Sequence, residues 1–118
     1  MTRGRIGFGI LALGCGLAGG AAAQSEGAAM ATALRYHEAT RAFELCGGKP
    51  LSPAEHDKLA VVIGTETQHQ MKVGDNLSVV REARTNMEQR VQATGCKDPL
   101  VVDALRTFDQ QVRPKLAR

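Results

Sequence analysis

Glu66 and His69 stand three residues apart, the spacing at which two side chains share one side of a helix. A carboxylate and an imidazole placed in this way can ligate a metal ion. Di-metal four-helix proteins use two such Glu-x-x-His pairs and two further glutamates. Here the pair occurs once, and His37, with Glu38 beside it, is the remaining candidate ligand. A zinc or copper site would draw on His37, His69 and a carboxylate such as Glu66. The plainer account of Thr65–Lys72 is a polar, solvated helix end, so no metal is assigned. Covalent haem attachment is ruled out because no Cys-x-x-Cys-His occurs. Met30, Met71 and Met87 are simplest as core filler, so no cofactor is expected. No Gly-x-Ser-x-Gly elbow and no glycine-rich phosphate loop is present, and the expectation is a non-catalytic protein.

The thiols point to architecture rather than catalysis. Three cysteines occur, Cys15, Cys46 and Cys96. Cys15 lies in a segment with the layout of a secretory signal peptide. "MTRGR" is a basic start, "IGFGILALGCGLAGG" a short apolar run, and Ala21 and Ala23 form the small-x-small pattern before a cut. Residues 1–23 are therefore read as a leader and residues 24–118 as a single domain. A lipoprotein reading, with Cys15 modified, is disfavoured because Ala12 stands where Leu is preferred and Leu13 is bulky for its position. Removing the leader leaves Cys46 and Cys96, an even pair that reads as one disulfide in an exported protein. The expected location is periplasmic or secreted.

The leader also carries two of the positive charges, Arg3 and Arg5. Without them the 15 Lys+Arg become 13 against 12 Asp+Glu, a net charge of +1. No nucleic-acid partner follows from such a balance, and no stable membrane insertion is expected after cleavage. "REARTNMEQR" mixes Arg81, Arg84 and Arg90 with Glu82 and Glu88, as a solvated helix face does.

Four helices must position these residues, with little or no strand, because no alternating apolar run is bounded by turns. The first spans Glu26 to Cys46 and ends at Gly47–Gly48, with Tyr36, Ala39, Phe43 and Cys46 on one face. "SPAE" starts the second, with Ser52 as N-cap, Pro53 at the first helical position and Glu55 closing a capping box. Leu59, Val62 and Ile63 form its apolar face, and continuing that face brings Glu66, Gln70 and Val73 inward. "VGDN" predicts a turn at Gly74–Asn76 and a third helix from Leu77 to Thr94, faced by Leu77, Val80, Ala83, Met87 and Val91. The fourth begins at Asp98–Pro99, carries Val101, Leu105, Phe108 and Val112, and is ended or bent by Pro114.

This pattern predicts an all-α, up-down four-helix bundle of two helical hairpins. Both cysteines follow a helix end and precede a new N-cap. In such a bundle the first and third turns lie at the same end, so a Cys46–Cys96 bridge ties the two hairpins there. At the opposite end, inward Glu66 and Gln70 require either partners or water, and a splayed, wetter end near Gly74 is expected. That end, or a groove beside it, is the expected binding surface.

The function expected is that of a small exported helical binding or accessory protein whose partner is a protein, another copy or a different periplasmic chain. The alternative is a periplasmic metal or small-ligand carrier. In layout alone, short, helical and held by one disulfide, the chain resembles small periplasmic acid-stress chaperones. That resemblance implies a bundle loosened when inward carboxylates such as Glu66 are protonated.

Overall fold

The structure is a computed structural model and describes residues 25–118, so the leader, the cleavage site and Cys15 lie outside the described residues. It is all helical: α1 spans Glu26–Cys46, α2 Pro53–Glu66, α3 Val73–Thr94 and α4 Pro99–Thr107. A π-helical turn, Phe108–Val112, continues α4 into the short α5, Arg113–Leu116. Among the described residues there is no strand, and no helix is long and apolar enough to cross a membrane.

Local chemistry sets most of the boundaries. Ser25 caps α1 by accepting from the Ala28 N–H at 3.1 Å. Gly47 ends α1 in a right-handed conformation, and a Cβ there would lie 2.6 Å from the Phe43 carbonyl oxygen and 2.9 Å from its ring. The left-handed turn falls one residue later, at Gly48, with φ of +83°. The capping box of α2 is complete: Ser52 Oγ accepts from the Glu55 N–H, and the Glu55 carboxylate accepts from the Ser52 N–H at 2.8 Å. Asp98 caps α4 by accepting from Leu100 N–H at 2.8 Å and holds the Thr94 hydroxyl at 2.6 Å.

The predicted turn at Gly74–Asn76 is not where the chain breaks. These residues form the first turn of α3, which starts at Val73, and α2 stops earlier, at Glu66. The residues that suit a turn also suit a helix start, where the first N–H groups have no helical partner and Asp75 meets the positive end of the dipole. The actual break is a Schellman cap. The Gln68 N–H donates to Thr65 O at 3.1 Å and the His69 N–H to Gly64 O at 2.9 Å. Gln68 and His69 both take φ of +56°. A Schellman cap normally announces itself through glycine, and Gln68 gives no such signal.

Pro114 bends rather than ends the last helix. Its missing N–H and its ring disturb the turn before it, and the chain responds with the wider π turn, closed by Arg113 N–H donating to Phe108 O.

The helices organise around α1. It packs along α3 and α4 and touches α2, whereas α2 and α3 share almost no contact. The small residues of α1 allow this crowding: Ala29, Ala33, Ala39 and Ala42 are completely covered. Leu51, Leu59, Ile63, Val79, Phe108 and Val112 join Ala33, Tyr36 and Ala39 in the main core, and Met87 and Val101 meet Ala42 in a smaller one. Phe43 stacks on Phe108 with centroids 4.3 Å apart, and the Arg113 guanidinium lies over both rings. Cys46 and Cys96 are bonded, with Cα atoms 5.8 Å apart, and join the end of α1 to the α3–α4 turn.

The inward face of α3 differs from the expected one. Val79, Ala83 and Met87 are buried, Val80 is half-buried and Leu77 is 62 % exposed. The helix turns the 79–83–87 ridge onto α1, which leaves its neighbouring stripe, Val73, Leu77, Val80 and Arg84, facing α2 across a gap.

Candidate functional site

That gap forms a groove along one side of the molecule. Three adjoining cavities of about 320, 220 and 280 Å³ run between α2 and α3. Ala60 of α2 lines all three, and His37 of α1 lines two of them. The groove has an apolar end and a charged end. At the first, Ile63 faces Val73 and Leu77, and Val61 and Met71 extend the wall. Val61, Val73 and Leu77 are 67 %, 80 % and 62 % exposed. At the second, Arg41, Glu44, His56 and Arg84 surround the opening.

The charged end is held by Glu44, whose side chain is almost covered. It accepts from Arg41 at 3.3 Å, from the Leu51 N–H at 3.0 Å and pairs with His56 Nε2 at 3.1 Å. One carboxylate thereby ties the end of α1 to the start of α2. Arg41 also donates to Glu88 of α3 at 2.6 Å. Of the two guanidinium groups at this end Arg84 is the less committed: it is mostly exposed, and its Nε lies 4.0 Å from the same Glu88 oxygen that Arg41 occupies.

His37 lies between the two ends. Its pKa is pushed down to about 4, mainly because burial disfavours the imidazolium and further because His56 repels it. His37 therefore presents a neutral ring at neutral pH.

The other two candidate ligands have different environments. α2 ends at Glu66, so His69 sits beyond the helix in a left-handed conformation and the two do not share a helical face. The His69 ring folds over Gly64, where a Cβ would lie 3.2 Å from Cε1. Glu66 accepts from the Tyr36 hydroxyl at 2.9 Å and from Lys115 Nζ, which also donates to Tyr36 at 3.2 Å. Lys115 first, and Tyr36 second, hold the Glu66 carboxyl below the usual carboxylate range, and Glu66 raises Lys115 in return. Glu66 is therefore clasped across α1, α2 and α5, which gives its carboxylate the partners an inward position requires, while Val73, beside Gly74, is mostly exposed on the gap between α2 and α3. Among the described residues no three His, Cys, Asp or Glu side chains gather as a metal ion requires.

The groove's charged residues escaped the sequence reading. Arg41, Glu44 and His56 belong to positions whose proximity is tertiary. Arg84 and Val73 carried a usable signal: 73, 77, 80 and 84 repeat at helical spacing once α3 is begun four residues earlier.

No protein-family model matches the chain, and no curated protein or solved structure shows significant similarity to it.

Proposed function

We propose that this chain is a small exported, non-catalytic binding protein that holds an aliphatic polypeptide segment in the groove between α2 and α3, in an accessory or chaperone-like role. The observation that carries this is the stripe Val73–Leu77–Val80, of which Val73 and Leu77 are mostly exposed, opposite exposed Ala60 and the edge of buried Ile63. Burying a Val or Leu side chain contributes about 1.5–3 kcal/mol. Three or four such contacts, set against the cost of association, suit micromolar rather than nanomolar binding. An up-down arrangement of two hairpins tied at the cystine supplies the frame, with α2 and α3 as antiparallel walls.

Export to an oxidising compartment is supported by the leader pattern of residues 1–23 and by the Cys46–Cys96 bond. A non-catalytic role is supported by the use of both thiols in that bond. The metal-carrier alternative would need His37, Glu66 and His69 to converge, whereas Glu66 is engaged by Tyr36 and Lys115.

The test is protection of a reduced insulin chain from aggregation. Wild-type protein at equimolar ratio should suppress the light scattering, and Leu77→Asp, at an exposed position, should abolish suppression while leaving the melting temperature within a few degrees. Failure of the wild type to protect would overturn the proposal.

A further inference from the structure

The polarity of the groove specifies its occupant further. Resting on the groove as a polypeptide site, we infer that it selects an aliphatic stretch closed by acidic residues, oriented with the acidic end toward Arg84 and His56. Among the described residues, the apolar half is lined by no formal charge: His37 and His69 are its ionisable side chains, and His37 is neutral above about pH 4. The fixed charges lie at the other end, where the Arg41 and Arg84 guanidinium groups face the Glu44 carboxylate.

That carboxylate, Glu44, is spent within the fold. It is nearly covered and engaged by Arg41, His56 and a backbone N–H. Arg41 is held in turn by Glu44 and Glu88. Arg84 is left with a single acid, Glu88, at 4.0 Å, and that acid already serves Arg41. An incoming carboxylate at this end meets an available guanidinium. An incoming ammonium meets Arg41 and Arg84. Among the described residues the opposite end has no side chain of fixed charge, only neutral polar groups such as Asn76 and Thr67 among its apolar residues, so the guanidinium groups set the direction in which the segment lies.

Three peptides with one common aliphatic core and an acidic, neutral or basic C-terminal pair decide the matter, their affinities being measured by fluorescence anisotropy with the oxidised protein. The acidic peptide should bind about five- to tenfold more tightly than the basic one in low salt, with the gap closing at high ionic strength. Arg84→Glu, at an exposed position, should invert that order, and Leu77→Asp should weaken all three. Equal binding of the three peptides overturns this inference while leaving the groove a polypeptide site. Binding of none overturns the functional proposal beneath it. Self-association of the wild type that Leu77→Asp removes, without peptide binding, assigns the groove to a second copy and overturns both.

Discussion

His37 gives the molecule a pH dependence that can be worked out from one side chain. Its folded pKa of about 4 lies below its ordinary 6.5, so between these values the unfolded chain takes up a proton that the folded chain refuses. Stability from this group is complete above pH 6.5 and declines as the pH falls toward 4. The loss reaches about 3 kcal/mol. The carboxylates act in a lower window. Glu66, Glu55 and Asp98 all have folded pKa values below the usual range, so their stabilisation is present above it and is lost as pH falls through the folded values. Urea unfolding at pH 7, 5.5 and 4.5 should therefore show stability already falling between pH 7 and 5.5, above the range in which the carboxylates titrate in either state. His37→Gln should remove about 2–3 kcal/mol of that fall at pH 4.5. An unchanged pH profile in the variant would place the sensitivity elsewhere. At this scale the sequence made it plain that an inward Glu66 needs partners. It could not name Tyr36 and Lys115, which lie 30 and 49 residues away and meet it only in the folded chain.

At the scale of elements, what was legible follows the range of the interaction. Ser52–Pro53–Glu55 and Asp98–Pro99 announce helix starts because capping joins residues two or three apart, and both caps form. The stop of α2 depends on left-handed Gln68 and His69, which no composition rule flags, and this displaced the predicted break by several residues. The face of α3 moved for a different reason. Periodicity identifies an apolar stripe, but Val79 and Leu77 compete for the core, and the packing partner decides. α1 takes Val79, and Leu77 is left on the groove wall, so Leu77 and Val80 of the candidate site pass for core in the pattern. The α1 terminus offers a direct check on the packing that was legible there. Gly47→Ala must move the Phe43 carbonyl or the end of α1, since backbone cannot yield as a side chain does. The expected cost is about 1–3 kcal/mol. Gly27→Ala, in open space near the start of the same helix, should be neutral or stabilising. Thermal melts of the two variants separate a close-approach requirement from a general intolerance of side chains.

At the scale of the whole molecule, the cystine is the principal constraint. It closes a span of 50 residues containing α2 and α3. Restricting the unfolded chain over such a loop contributes about 4 kcal/mol, a large share of the ~5–15 kcal/mol typical of a small domain. A Cys46→Ser, Cys96→Ser double variant should lose about that amount in chemical denaturation. A loss below 1 kcal/mol would show that helix packing alone holds the pole. The pairing was readable from sequence because both cysteines sit at helix ends, and end positions survive small errors in boundary placement. The pattern points to an opening near Gly74 but not to a gap along the length of α2 and α3, because that gap arises from an arrangement in which both lean on α1 and hardly on one another.

The four covered alanines of α1 carry an evolutionary corollary. Neighbouring helices close onto α1 at these four positions, between the bulky Tyr36 and Phe43, and leave no slack there into which a larger group could grow. Divergent descendants of this chain that preserve the packing must keep tiny residues at positions 29, 33, 39 and 42, while 73, 77 and 84, mostly exposed, meet no such limit on size. The quietest residues of the sequence are thus the ones least free to change.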